Sequence, residues 1–204
     1  NIRVFTWLVC RQLHTSCAIK NEEWITIMEI LVLIKQVPDD SVEIKLDPAT
    51  GAPKLDGVEA VVNAFDTYAL EMAKRYIEDN GGNVTVATIG DDDATAALRT
   101  CLAVGAGKAF LIKDASFAGS DTTAKAYILS KAVAKIEEIN GAKFDIVFCG
   151  KEATDFSKGM VGVQLASELG VGVATDVIAV DPAEGGVAVK QETETGYNVI
   201  EMTK

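Results

Sequence analysis

The stretch from Phe144 to Gln164, FDIVFCGKEATDFSKGMVGVQ, constrains the fold more than any other part of the 204-residue chain. Phe144, Ile146, Val147 and Phe148 form a short aromatic and β-branched run around a single acid, Asp145, which suits a strand buried on both faces. Gly150 ends it. A loop of small and polar residues follows, and from about Lys158 the apolar positions Met160, Val161, Leu165 and Leu169 recur at helical spacing. Strand, turn and helix in that order is the unit of an open parallel α/β sheet. Ligands bind such sheets at the carboxyl ends of the strands, where free N–H groups and the dipole of the next helix favour an anion. Thr154, Ser157 and Lys158 supply two hydroxyls and a cation there. The alternative reading is an ordinary polar βα loop.

The same unit recurs upstream. Glu29 to Lys35, EILVLIK, is a near-continuous apolar run of the kind found in central parallel strands, and Val37-Pro38-Asp39-Asp40 closes it. Val42 to Leu55 carries two turn signals, Asp47-Pro48 and Thr50-Gly51, and is read as a hairpin-like excursion. Asn63 then stands where a helix cap belongs, with Asp66 three residues on as a capping-box acid; Phe65, Ala69, Met72 and Tyr76 give that helix an apolar stripe. A second strand spans Val84 to Ile89. Asp91, Asp92 and Asp93 open the next helix, which runs to about Val104, and would repel a phosphate at that turn. Ala109 to Ile112 makes a third strand, and Ser120 or Asp121 caps a long helix with Ile128, Ala132, Ile136 and Ile139 as its expected buried stripe. Four strand–helix cycles with right-handed crossovers predict a doubly wound parallel sheet over residues 28–170. Val171 to Val180, Gly186 to Glu192 and Asn198 to Thr203 read instead as consecutive strands, a β-rich arm over 171–204 that is expected to be truncated at Lys204.

Residues 1–27 break this period. Their apolar run, Val4 to Cys10, is too short to span a bilayer and ends at Arg11, so the segment is read as a non-native or disordered extension joined ahead of a natural start at Met28; a packing or targeting extension is the alternative. The formal net charge of −11 argues against a nucleic-acid or anionic-membrane partner. Cys10, Cys17, Cys101 and Cys149 contain no CxxC pair and are read as reduced thiols of a cytoplasmic protein; one histidine, His14, offers no histidine-based catalytic or metal constellation. There is no GxGxxG after a strand, no GxxxxGK[ST], no HExxH and no GxSxG, and the acid pairs read as solvated loop and helix ends. With no activated nucleophile and no metal set, the residues favour a binding module over a self-sufficient enzyme.

Four segments in register carry a family resemblance: MEILVLIKQVPDD from Met28, DGV-x-x-x-VN from Asp56 to Asn63, ALRTCLAVGAGKAFLI from Ala97 to Ile112, and GKEATDFSKGMVGVQLA from Gly150 to Ala166. Together they resemble the electron transfer flavoprotein beta subunit, over Met28 to Lys204. The resemblance implies an alpha-subunit partner carrying the redox FAD, and a second nucleotide in the beta subunit: AMP in simple carriers, a second FAD in bifurcating ones that also use NADH. It implies electron delivery between flavin dehydrogenases, such as acyl-CoA dehydrogenases, and an acceptor, without substrate chemistry of its own. The family's nucleotide contacts fall here on Leu33 and Lys35, on Asn63, Ala64, Phe65 and Asp66, on Ile89, and along the loop that holds Gly150, Lys151, Glu152, Ala153, Thr154, Asp155, Ser157, Lys158, Gly159 and Val161. Where the family usually reads Asp-Gly-Asp-Thr, this chain has Asp155-Phe156-Ser157-Lys158. That departure bears on which nucleotide is held. The competing functional reading is a stand-alone adenine-nucleotide-binding regulator of the related stress-protein kind, which needs no alpha subunit.

Overall fold

The structure, a computed structural model, describes residues 6–10, 16–20 and 23–203, with side chains from Ile27 onward. Strands β1 (Thr6–Cys10), β2 (Ser16–Lys20) and β3 (Glu23–Leu33) come first, then the short pair β4 (Gln36–Pro38) and β5 (Ala60–Val62). Helix α1 (Ala64–Asn80), β6 (Gly82–Ile89), α2 (Thr95–Val104), β7 (Lys108–Ile112), α3 (Thr122–Asn140), β8 (Ile146–Gly150) and α4 (Val161–Leu169) follow in alternation, and β9 (Gly172–Ala183), β10 (Gly186–Glu192) and β11 (Tyr197–Thr203) end the chain.

The four parallel strands lie in the order β8-β3-β6-β7, so the chain winds outward from β3 to β7 and then crosses back to place β8 on the other side of β3. The fold is a doubly wound α/β sheet with an antiparallel β-rich arm, as the alternation predicts. Its two faces are covered separately. Ile30, Val32 and Ile34 of the β3 segment pack with Val86 and Phe148 against Ala69, Leu70 and Ala73 of α1 and Ala97 and Leu98 of α2. Leu31 and Leu33 face the other way, onto Leu129, Val133 and Ile136 of α3 and Leu165 of α4. Burial on both faces explains why these strands read as unbroken apolar runs. Asp145, fully buried, is the exception that the pairing accounts for: its carboxylate accepts from the Glu29 N–H at 2.8 Å and its own N–H donates to the Glu29 carbonyl at 2.9 Å, which tethers the start of β8 to β3. Cys101 and Cys149 are free and buried, as expected of packed thiols, while the side chains of Cys10 and Cys17, and all of His14, fall outside the described residues.

Three expectations differ from the structure. Asn63 does not cap α1 with its side chain. The buried stripe of α3 is Ala126, Leu129, Ser130, Val133 and Ile136, and Ile139 is 60% exposed, because the helix is rotated relative to the stripe read from its isoleucines. Of residues 1–27, expected apart from the domain, Ser16–Lys20 pairs antiparallel with Glu23–Ile27 of β3, and Thr6–Cys10 lies between β8 and β9 and pairs antiparallel with both. Its TWLVC run has the composition of a strand, and strand pairing satisfies the backbone groups along the facing edges of β8 and β9. The rest of that segment, residues 1–5, 11–15 and 21–22, lies outside the described residues, as does residue 204, to which the expected truncation refers.

Candidate functional site

In an open α/β sheet the crevice for a ligand opens where successive strands depart to opposite sides, outside their carboxyl ends. Here that point lies between β3 and β8. The chain leaving β3 enters at Lys35, the chain leaving β8 at Gly150, and the first turn of α1 closes the space between them.

Asp66, in that first turn, joins the two strand ends. Its Oδ2 accepts from the Lys35 N–H at 2.7 Å and its Oδ1 from the Gly150 N–H at 3.1 Å. The carboxyl is 5% exposed, and burial pushes its pKa up to about 7, against the pull of the two N–H donors, the Asn63 amide and the Lys35 charge. Gly150 has to be glycine: a Cβ there would fall on Asp66 Oδ1 and lie 3.0 Å from the Phe65 carbonyl carbon. Asn63, 1% exposed, clasps the loop after β8. Its Nδ2 donates to the Glu152 carbonyl at 2.8 Å, and its Oδ1 accepts from the Thr154 N–H at 3.1 Å, so one amide fixes both sides of residue 153. Lys35, Asn63, Asp66, Gly150, Glu152 and Thr154 thereby form one connected network.

Beyond Thr154 the loop turns outward. Phe156 and Ser157 both donate their N–H to the Ala153 carbonyl, Ser157 adopts a left-handed φ of 45° and Gly159 one of 59°. Lys35 Nζ meets both carboxylate oxygens of Asp155 at 2.6 Å and lies 5.2 Å from the centre of the Phe156 ring, which is 70% exposed. Lys158 is exposed and, among the described residues, in no ion pair. Helix α4 begins at Val161 with no side-chain cap, which leaves its first N–H groups directed at this loop. Lys151 reaches away to Asp176 at 3.1 Å.

Not every residue expected at the site lines it with its side chain. Leu33, 7% exposed, belongs to the core beneath α3, and Ile89 packs against the same cluster. Ala64 is exposed at the start of α1. An open cleft of about 600 Å³ lies beside Gln36, lined also by Glu59, Asp92, Asp93, Thr95 and Arg99. Sequence reading missed it, because its lining comes together only when the β4–β5 pair packs beside α2. The acids expected to open α2 form a separate 3-10 turn at Asp92–Ala94 instead, with Asp92 paired to Lys113 at 2.7 Å.

Replacing Asn63 with alanine removes both clasps and leaves the Thr154 N–H without its partner. The variant is expected to lose about 1 to 3 kcal/mol of stability, and amide hydrogen exchange should rise at residues 152–156 before it rises in the core strands. Exchange that rises equally everywhere would show that Asn63 only supports the core.

The family model described as the electron transfer flavoprotein domain matches residues 54–204. The electron transfer flavoprotein subunit beta of Thermoanaerobacterium thermosaccharolyticum is 43% identical over 175 residues, covering 86% of this chain and 65% of that protein. Protein FixA of Azotobacter vinelandii is 40% identical over 179 residues, with 86% and 63% covered, and the caffeyl-CoA reductase-Etf complex subunit CarD of Acetobacterium woodii is 38% identical over 176 residues, with 86% and 65% covered. The chain thus spans a little under two thirds of the length of these relatives. On the family match and on these identities, the chain belongs to the electron transfer flavoprotein family, where its likeness is to beta subunits and FixA.

Proposed function

We propose that the chain is the beta-subunit component of a two-subunit electron carrier and that it holds an adenine nucleotide at the β3–β8 switch point. Residues 28–170 form the nucleotide-binding domain in this reading and 171–204 the β-rich arm. The observation that carries it is the Asp66–Asn63 network, which fixes Gly150–Thr154 of the loop that leads to an uncapped helix start, at the position where open α/β sheets take their ligands. The residues suit an adenine nucleotide's phosphate: exposed Lys158, in no ion pair among the described residues, brings a positive charge, Thr154 and Ser157 bring hydroxyls, and the left-handed turn at Ser157 and Gly159 leads straight into α4. AMP fits better than a second FAD, since Phe156 stands where the resembling family has a small residue. The redox FAD belongs to an alpha subunit, the electron donors or acceptors are flavin dehydrogenases, and the complex works in the cytoplasm without a membrane span. Among the described residues no helix is long and apolar enough to cross a membrane. FAD would supply the redox chemistry; this chain's own residues bind and orient.

The test is calorimetric titration of AMP into the chain, alone and with its alpha subunit, after removal of nucleotide. Lys158→Ala is expected to weaken AMP binding by about 1 to 3 kcal/mol. Unchanged affinity would take the phosphate away from this loop. Binding of AMP by the chain with no alpha-subunit gene beside its own would instead support the stand-alone regulator.

A further inference from the structure

Lys35 reaches into the site from the end of β3, yet its charge is already engaged. Its ammonium meets both carboxylate oxygens of Asp155 at 2.6 Å, across 120 residues of chain, with the two side chains 35% and 21% exposed. The same ammonium lies 5.2 Å from the centre of the Phe156 ring. The pair thus latches the outer part of the loop to the end of β3, one residue beyond the Thr154 N–H that Asn63 holds. The latched segment leads directly into the left-handed turn at Ser157.

A carboxylate gripped by a lysine in this way occupies the position in which a phosphate would be gripped, because an ammonium is a compact point charge that can pair with either anion. Resting on the nucleotide reading above, we propose that Asp155 is an internal rival of the nucleotide's phosphate for Lys35 and so determines how strongly the site favours a phosphorylated nucleoside over an unphosphorylated one. A phosphate dianion displaces Asp155 from Lys35 and retains the ammonium's charge-assisted contact. A nucleoside without phosphate leaves the latch shut and gains nothing from Lys35. The ion pair is partly exposed, so its hold is modest and within reach of a dianion.

The probes are AMP and adenosine, titrated calorimetrically into the parent chain with its alpha subunit, and into Asp155→Asn, Lys35→Gln and the double variant. Asp155→Asn keeps the side chain's shape and removes the rival charge. It is expected to bind AMP about fivefold more tightly with adenosine unchanged. Lys35→Gln leaves Asp155 unpaired beside the phosphate, so AMP should weaken at least fivefold, and the double variant should recover part of that loss. If the parent binds AMP and Asp155→Asn binds it no more tightly, the rivalry is wrong although the nucleotide reading stands. Weaker AMP binding by Asp155→Asn would place the carboxylate on the ligand and overturn the proposal in the same way. A parallel gain for adenosine would reduce the effect to loop packing and overturn it too. If no variant binds either probe, the nucleotide reading fails and the rivalry with it.

Discussion

A methyl group at position 150 is expected to lower the melting temperature by roughly 3 to 10 °C, from an overpacking cost of about 1 to 3 kcal/mol. Gly150 stands at the last residue of β8, where the first turn of α1 presses down on the strand and the Asp66 carboxylate reaches its N–H. The Cβ of alanine would clash with Asp66 Oδ1 and crowd Asp66 N and the Phe65 carbonyl carbon, both at 3.0 Å. The carboxylate can swing aside but the helix backbone cannot, so the collision is relieved only by moving α1 or the end of β8. Either movement breaks the tie between the two strand ends and shifts the loop that Asn63 holds, and AMP affinity should fall with stability. Gly107→Ala is the control: its Cβ would meet only the Val84 carbonyl oxygen, at an ordinary 3.6 Å, and should shift the midpoint far less. The double variant Gly150→Ala, Asp66→Ala should lose less than the sum of the single changes, since removing the carboxylate removes one of the colliding groups. An additive result would mean that the two residues act independently.

Strands were the most legible part of the chain. β3, β6 and β8 are buried on both faces, and that environment leaves an unbroken apolar run in the sequence, bounded by Gly or Pro. The turn pairs Asp181-Pro182, Gly185-Gly186 and Thr195-Gly196 likewise set off β9, β10 and β11 within a residue or two, although β9 runs through Pro182 to Ala183. Helix faces were harder. In α3 small residues share the buried side, Ala126 and Ser130 among them, so a stripe drawn through the large isoleucines is rotated away from the true one. The site was legible in position, because strand ends and helix starts are local features. Its wiring was not: Lys35 and Asp155 are 120 residues apart, Asn63 and Thr154 are 91, and nothing in either neighbourhood marks the partner. Asn63 and Asp66 were visible as residues but misread in role, since an Asn before a helix and an acid in its first turn have the spacing of a cap. Tertiary contacts divert Asp66 to the two strand ends and Asn63 to the loop after β8 instead. The place of Thr6–Cys10 between β8 and β9 was hidden for a related reason, since strand order across a sheet depends on which edges are open and not on the strand's own residues.

Asp66 should also make the stability of the chain depend on pH in the direction opposite to most buried, hydrogen-bonded carboxylates. Burial raises its folded pKa to about 7 from the ordinary 3.8, so between those values the folded chain holds a proton that the unfolded chain has released. Stability from this source is fully present below the unfolded pKa and is lost as pH rises through about 7, a change on the order of a few kcal/mol. The exposed Asp39, Asp47 and Asp114 have lowered pKa values and act in the other direction, but their window lies below 3.8, outside the range at issue. The Cys101 thiol, pushed up to about 11 by burial and by the Asp66 charge, titrates well above it, and Cys149 is pushed up by the same two causes. Denaturant unfolding of the parent and of Asp66→Asn at pH 5 and pH 8 isolates the effect. An amide cannot titrate, and it fits the same space at a fixed cost, because its NH₂ group must face one of the two N–H donors at every pH. Groups that do not interact with Asp66 are common to both chains and cancel in the difference. The parent should therefore lose stability relative to Asp66→Asn between pH 5 and pH 8. Parallel curves would mean that the Lys35 and Gly150 N–H groups, with the Asn63 amide and the charge of Lys35, hold Asp66 ionised across the whole range and outweigh the cost of burying it.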